Sequence, residues 1–599
     1  MSARVRLATL LLALTATENN AAAENRLGAN LEPVTYWSHE YKFLDLMKHS
    51  GPWGVKRARG VNGPGDPGAF RTGEVVRLTP SGWPLEVPEQ RLVCTLLLRD
   101  SAGHWPHLDG TTASRWRIDW QGRGEFRLEL SEATVRPAAI SMGYTAVRSD
   151  PASVRYDPDP STRGPTGGSA EFDIVPSKGG VDLCLISISP EDPIHRVRFL
   201  PPEYADRDTD ADPGSVFWPH FVEEIRRYSG PLRMLGPSRG NESPVHRWSE
   251  RPKLRDARQS TERGIALEYQ IMMANLSGND LWLTLPYNAD DDFVRRAAAL
   301  VSAQLNPPLQ VIPEYSNEVW NQRFPSFRHA VVNGSQLGLC GDARPNSDVC
   351  GHHFYAWRSN QIQDFFEQAL GSERVVRFYG TQASNSWVTD RILEFDGAGE
   401  RAEAVGTAPY FCGGIRLGRH PLARCPPWSP HCARKRVQGW PDDDANGVAD
   451  WKQIPVPSVE QLIRHCGREL ETALFDLRKG ARQHCHHIRE NWPAAQCWAY
   501  ESGQHLLADY PHLKADPRWW RRLVESQTHP AWRDLYLRYH RALFEAGYQV
   551  VAVFSSVSKW DRHGSWGLRE FDDGSRATYP KYDAVRLMLE ELRAYPKTI

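Results

Sequence analysis

The sequence has almost no excess charge: 72 lysines and arginines stand against 73 aspartates and glutamates, for a formal net charge of −1. Phosphate backbones are gripped by clustered positive charge, so nucleic acid is not an expected partner. Outside the N-terminal segment there is no apolar run approaching the roughly 20 residues a helix needs to cross a bilayer, and no membrane partner is expected. No Walker loop and no GxSxG elbow is present, which argues against phosphoryl transfer and serine-hydrolase chemistry. No internal repeat is visible. No cofactor and no metal is expected. HCHH (484–487) and CGHH (350–353) lack the ligand spacing of a tetrahedral zinc site and read as surface features. DDDANGVADW (442–451) resembles a calcium loop, but Gln453 stands where a bidentate glutamate would be needed, so it reads as a solvated acidic turn.

What the chain has in plenty is tryptophan, 22 in all, with 20 tyrosines and 20 phenylalanines. Several indoles lie in polar stretches (SGW, GHWP, NSW, PPW, GSWG), and indoles in loops suit stacking on the apolar faces of sugar rings. The N-terminus joins two arginines, an apolar run from Leu7 to Leu14 and small residues at Ala21 to Ala23, the pattern of a signal peptide over 1–23. A secreted or periplasmic protein follows from it, and ten cysteines fit an oxidising compartment. Cys340 with Cys350 and Cys425 with Cys432 bracket short polar loops and read as local disulfides. Cys94 and Cys184 are either a bridge or free core thiols, and Cys412, Cys466, Cys485 and Cys497 cannot be paired from sequence.

Three textures follow one another. RLGANLEPVTYW and YKFLDLMKHSG give a strand and an amphipathic turn or short helix within 24–65. From 70 to 205 short β-rich runs separated by glycine, proline and aspartate turns read as an all-β sandwich. From 206 to 599 strand and helix alternate, with a loop insertion at about 412–456. The strands are PLRMLG, DLWLTLPY, LQVIPEY, RVVRFYG, AEAVGTAPYF, AQCWAYE and QVVAVFSS; with ANLEPVTYW they make eight. Eight alternating units predict an α/β fold, a (β/α)₈ TIM barrel carrying the β-sandwich between its first and second strands. An open doubly wound sheet is the other architecture, but no glycine-rich phosphate loop follows any strand to support it.

In a barrel of this kind the carboxyl ends of all strands meet at one mouth. The predicted ends are polar or aromatic almost throughout, and two carry a glutamate: Asn317-Glu318 after the fourth strand and Tyr500-Glu501 after the seventh. Retaining glycosidases need two carboxyls about 5–5.5 Å apart, one as nucleophile and one as acid/base. The nucleophile needs a nearby cation and donors to stay ionised, and the acid needs a less polar setting to hold its proton. Arg233, ending the second strand, is the candidate cation for Glu501, and Tyr410, ending the sixth, the candidate phenol donor. Asn317 is placed to bond the sugar 2-hydroxyl. His39, His505 and His563, at strand ends, are candidates for sugar hydroxyls. Glu314, four residues before Glu318, lies deeper in its strand and is assigned a bond within the barrel.

With these motifs the sequence resembles the clan A glycoside hydrolases: NE at 317–318, YESG at 500–503, an arginine on strand two, an aromatic residue ending strand six and SKWDRHGSWG near strand eight. It also resembles secreted bacterial proteins labelled cellulose-binding or cellulase-like. The resemblance covers residues 24–60 and 205–599 and implies that Trp560 or Trp566 floors the sugar subsite. It implies a retaining hydrolase of β-glycosidic bonds in a polysaccharide such as cellulose, β-glucan, mannan or xylan, with Glu318 as acid/base and Glu501 as nucleophile. The alternative is a non-catalytic polysaccharide-binding protein on a glycosidase-like barrel.

Overall fold

A computed structural model describes residues 25–594 apart from 58–73, 100–113, 131–134, 142–143, 151–152, 159–166, 175–179, 384, 414–455, 476–479 and 508–515. The expected signal peptide, the Cys425–Cys432 pair, the acidic loop 442–451 and nearly all of the 412–456 insertion lie outside these residues.

Eight parallel strands make one sheet: strand one Arg26–Asn30, two Leu232–Arg233, three Leu281–Leu285, four Val311–Tyr315, five Phe378–Gly380, six Ala404–Thr407, seven Gln496–Ala499 and eight Tyr548–Val553. Their order runs four-three-two-one-eight-seven-six-five. The Val376 amide donates to the Val311 carbonyl at 2.9 Å, bringing strand four to the approach of strand five, so the barrel is nearly closed. Strands three and four, LWLTL and VIPEY, are buried at every position, as befits parallel strands covered on both faces. Trp282, Ile312, Phe378, Trp498, Tyr500 and Val550 belong to a cluster of their own, distinct from the outer core, and fill the barrel interior.

Helices cover the outside. Asp291–Gln304 follows strand three, begun by Asp290, whose carboxylate accepts from the Phe293 amide at 2.8 Å. Asp348–Leu370, Val459–Phe475, Ala531–Ala546 and Pro580–Ala594 follow strands four, six, seven and eight.

Between strands one and two the chain forms two antiparallel sheets. The six-stranded sheet includes Gly54–Arg57, Arg91–Arg99 and Gly180–Ile188, and the four-stranded sheet includes Ser114–Gln121 and His195–Leu200. Antiparallel pairing thus begins at Gly54, ahead of residue 70, because Gly54–Arg57 pairs with Arg91–Cys94. Buried contacts tie these sheets to the barrel side. Asp45 accepts from the Phe199 amide at 2.8 Å, and Trp116, stacked on Phe199, meets Trp218 edge-on.

Four disulfides are formed among the described residues: Cys94–Cys184 across paired strands, Cys340–Cys350 as the spacing predicts, Cys412–Cys466 and Cys485–Cys497. Strand one differs from the sequence reading. It ends at Asn30, and the Leu31 amide makes the last ladder bond, to the Arg233 carbonyl, before Pro33, which has no N–H to donate. The histidine clusters differ too. HCHH lies inside helix Ala481–Asn491 with His484 and Cys485 buried, and His352 of CGHH is buried in Asp348–Leu370. No helix among the described residues is long and apolar enough to cross a membrane.

Candidate active site

The site is built around Arg233, which has no exposed surface at the end of strand two. Its guanidinium donates through Nε and Nη2 to Glu314 at 2.9 and 2.7 Å, and through Nη2 to Asn317 Oδ1 at 2.7 Å. Nη1 donates to Glu501 at 2.9 Å and to Asn30 Oδ1 at 3.2 Å. Each of the donors this side chain owns therefore has an acceptor, contributed by strands one, four and seven. Its ring neighbours are Trp282 and Tyr500, at 5.6 and 5.0 Å from the guanidinium carbon, so the cation rests on the aromatic filling of the barrel. Glu314, which also accepts from Thr284 at 3.1 Å, is buried beneath the mouth as the structural partner of Arg233.

Past Tyr315 the chain leaves strand four through Ser316 and Glu318, whose φ values of 57° and 42° are uncommon for residues with a side chain. The Ser316 hydroxyl holds this turn to the Gly240 carbonyl at 3.0 Å, and the Asn317 amide donates to Asn241 at 2.7 Å. The turn leaves Glu318 half-buried at the mouth. Its carboxyl accepts from the Asn321 amide at 2.8 Å and from the Tyr500 hydroxyl at 3.3 Å. Glu501, buried, accepts from Arg233 on one oxygen and from the Tyr410 hydroxyl on the other, both at 2.9 Å.

The electrostatics of the two carboxyls are linked. Burial pushes Glu318 up to about 7, the negative charge of Glu501 pushes the same way, and Asn321, Arg233 and Tyr500 hold it back. Burial also raises Glu501, but there the Arg233 cation and the Tyr410 phenol oppose it directly. One cation already faces Glu314 and Glu501. A charged Glu318 would add a further uncompensated negative charge to an enclosed site. The Arg233 and Tyr410 donors thus favour the charged form of Glu501, while burial and the Glu501 charge favour the protonated form of Glu318.

Of the residues singled out from sequence, Asn317, Glu318, Arg233, Tyr410 and Glu501 form one continuous hydrogen-bonded group with Asn30, Asn241 and Tyr500. His505 and Trp566 flank it: the His505 ring lies 5.1 Å from Tyr410, and the Trp566 indole N–H reaches His505 Nδ1 at 3.3 Å. Trp560 is elsewhere. Its ring is buried, its N–H donates to the Gly567 carbonyl at 3.2 Å, and the Lys581 ammonium sits 4.7 Å from its ring centre. The expectation for Trp560 as a sugar floor is corrected on that packing. His39 is buried and stacked on Phe571, and His563 is exposed. The loop indoles divide likewise: Trp83 of SGW is buried, Trp387 of NSW is exposed, and those of GHWP and PPW are outside the described residues.

The sequence reading missed Asn30, Asn241, Asn321 and Tyr500 as site residues. Asn30 carried a signal, an amide at a strand end, that was hidden by running strand one on to Trp37. Asn321 lies three residues after Glu318, within reach once the chain turns there. Asn241 carried none, since only the fold brings its loop to Asn317.

No protein-family model matches the chain, and no curated protein matches it. Searches of solved structures return the CBM22–GH10 modules of an endo-1,4-β-D-xylanase from Clostridium thermocellum, 9% identical over 93% of this chain and 97% of that one, with a TM-score of 0.29. A GH26–CBM35 β-(1,4)-mannanase from Podospora anserina is 10% identical over 85% and 92%, with a TM-score of 0.22. An exo-β-agarase is 9% identical over 87% and 95%, with a TM-score of 0.28. Likenesses this distant fix no family. What the site can do chemically follows from its own geometry.

Proposed function

We propose that the chain is a secreted retaining glycoside hydrolase that cleaves β-glycosidic bonds in a polysaccharide, of the plant type such as cellulose, β-glucan, mannan or xylan. In this reading Glu318 gives its proton to the glycosidic oxygen as the C–O bond breaks, while Glu501 attacks the anomeric carbon from the opposite face and forms a glycosyl ester. Glu318, now a carboxylate, takes a proton from water. The water attacks the anomeric carbon, the ester bond breaks, and Glu501 leaves as a carboxylate. Arg233 and Tyr410 stabilise Glu501 when it is charged. Asn317 bonds the sugar 2-hydroxyl, where a hydrogen bond strengthens as positive charge grows on the ring. Trp566 and His505 meet the sugar beside Tyr410.

The observation that carries this reading is the unequal pair: two glutamates at the ends of strands four and seven, one bonded to a cation and a phenol, the other held near 7. We further assign 24–65 and 206–599 to a catalytic barrel, 70–205 to an inserted β-sandwich, and 1–23 to a signal peptide. Four disulfides favour export from a reducing cytoplasm. Mass spectrometry of products from a polysaccharide panel, comparing wild type with Glu501→Gln, tests the whole reading. Oligosaccharides from wild type alone are expected. Turnover that survives the substitution would overturn the assignment of Glu501, and binding without product from any glycan would leave a polysaccharide-binding barrel.

A further inference from the structure

Next to the site, reached through Asn241 and Phe554, lies a cavity of about 130 Å³, lined by the chain segments that follow strands one, two and eight. That is room for several waters, each of which takes about 30 Å³ in the liquid. Glu32, Asn241, Arg239, Glu242, Phe554 and Ser555 are among its walls. Two of them touch the site already described: Asn241 accepts from Asn317, and the Phe554 ring meets Tyr410 and Trp566 edge-on at 6.3 and 6.0 Å. Neither Glu318 nor Glu501 lines it. The cavity meets the site through Asn241, the partner of Asn317, and through Phe554, which packs beside Tyr410, the phenol that donates to Glu501.

We propose that this cavity holds a neutral sugar unit of the bound glycan, next to the unit that is attacked, with Glu32 and Asn241 bonding its hydroxyls. The proposal rests on the glycosidase reading and deepens it by naming a subsite and the charge class of the sugar. Three features support it. The wall is mixed, with Leu31, Pro33 and Phe554 offering apolar contact beside a few polar groups, which is how sugar and other small-molecule sites are built. Glu32 is held in place by the Ser555 hydroxyl, which donates to its Oε1 at 2.8 Å. Burial pushes the Glu32 carboxyl up to about 7, so near neutral pH it can donate as well as accept. The preference for a neutral sugar follows from charge. Two carboxyls line the cavity, and Arg239, the cation among its walls, already pairs with Glu242 at 3.0 Å. A uronate would meet no uncommitted cation among the cavity walls.

The test is calorimetric binding of cellotetraose, xylotetraose and mannotetraose, of tetragalacturonate as the acidic probe, and of the matching methyl monoglycosides. It is made on the Glu318→Gln protein so that hydrolysis does not consume the ligand. At least one neutral tetrasaccharide is expected to bind. Adding Glu32→Ala is expected to weaken it about tenfold, the worth of a buried hydrogen bond, while Glu32→Gln, which keeps a donor and an acceptor, restores most of the affinity. The methyl glycoside, which fills only the attacked position, should lose nothing. Glu32→Met, equal in length without a hydrogen-bonding group, gives the same readout should the alanine variant not fold. Unchanged tetrasaccharide affinity, an equal loss for the methyl glycoside, or tetragalacturonate binding as tightly as the neutral chains would overturn the proposal. Glu32-sensitive binding together with no hydrolysis by the wild type would overturn the glycosidase reading and leave the subsite standing. Hydrolysis without any Glu32 effect would do the reverse, and no binding by any saccharide would overturn both.

Discussion

The ends of strands four and seven meet at one mouth, yet they give their glutamates opposite surroundings. Glu501 is buried and receives a guanidinium N–H and a phenol O–H, one on each oxygen. Glu318 is half-exposed and receives an amide and a longer phenol contact. Burial raises both carboxyls, so burial does not tell them apart. The donors do: Arg233 and Tyr410 favour the charged form of Glu501, and a charged Glu501 favours the protonated form of Glu318. In the proposed reading, the division of labour between nucleophile and acid is set by a side chain, Arg233, that belongs to neither strand.

The sharpest way to break this comparison is to remove each carboxyl and watch different substrates. Glu501→Gln should take turnover below detection for every glycoside, because an amide in place of the carboxylate cannot form the glycosyl ester. Glu318→Gln should cost about 10²–10⁴-fold in kcat on a polysaccharide, the usual worth of a general acid, and far less on an aryl glycoside whose leaving group needs no proton. Equal losses on both substrates would erase the distinction between the two glutamates.

Smaller effects sharpen it. Tyr410→Phe removes one donor from the charged Glu501 and should lower kcat by about 10–100-fold, the range for a hydrogen bond to a charged group. Its pH profile should lose activity at the acid limb first, since Glu501 becomes easier to protonate. In the wild type, kcat/KM should fall as pH rises through about 7, because Glu318 must carry its proton to act as acid and its carboxyl is held near that value. A basic limb that stays flat to pH 9 would contradict the assignment. Trp566→Ala should raise KM by a few-fold to about tenfold, in line with about 0.5–1.5 kcal/mol for an aromatic contact, with little change in melting temperature. Trp560→Ala should instead destabilise the fold by about 3–5 kcal/mol and leave KM alone in whatever folds.

Most of the barrel is legible because parallel strands covered on both faces read as mostly apolar runs, as LWLTL, VIPEY and YQVVAV do with one or two polar residues each. Strand one was misread for a physical reason. PVTYW carries the β-branched and aromatic residues that favour strands, but the ladder stops at Leu31 because Pro33 cannot donate and the loop turns to line the cavity at Glu32. The disulfide between Cys412 and Cys466 was not legible either. It spans 54 residues and fastens the segment just past Tyr410 to helix Val459–Phe475, a proximity that only the fold creates. The same holds for the two indoles of SKWDRHGSWG: nothing local separates Trp560 from Trp566, and what captures Trp560 is Lys581 from the last helix.

Local pattern alone gives the alternation of strands and helices and most strand ends, and with them the polar groups Glu318, Glu501, Arg233 and Tyr410 at one mouth; it overran strand one. Periodicity and chain breaks are local properties, and they survive without tertiary contacts. The unequal surroundings of the two carboxyls come from the fold. Arg233 and Glu501 are 268 residues apart in the chain, and their 2.9 Å contact, the enclosure of Glu318 and its resulting pKa near 7 exist only when the barrel brings its strands together and excludes water from between them.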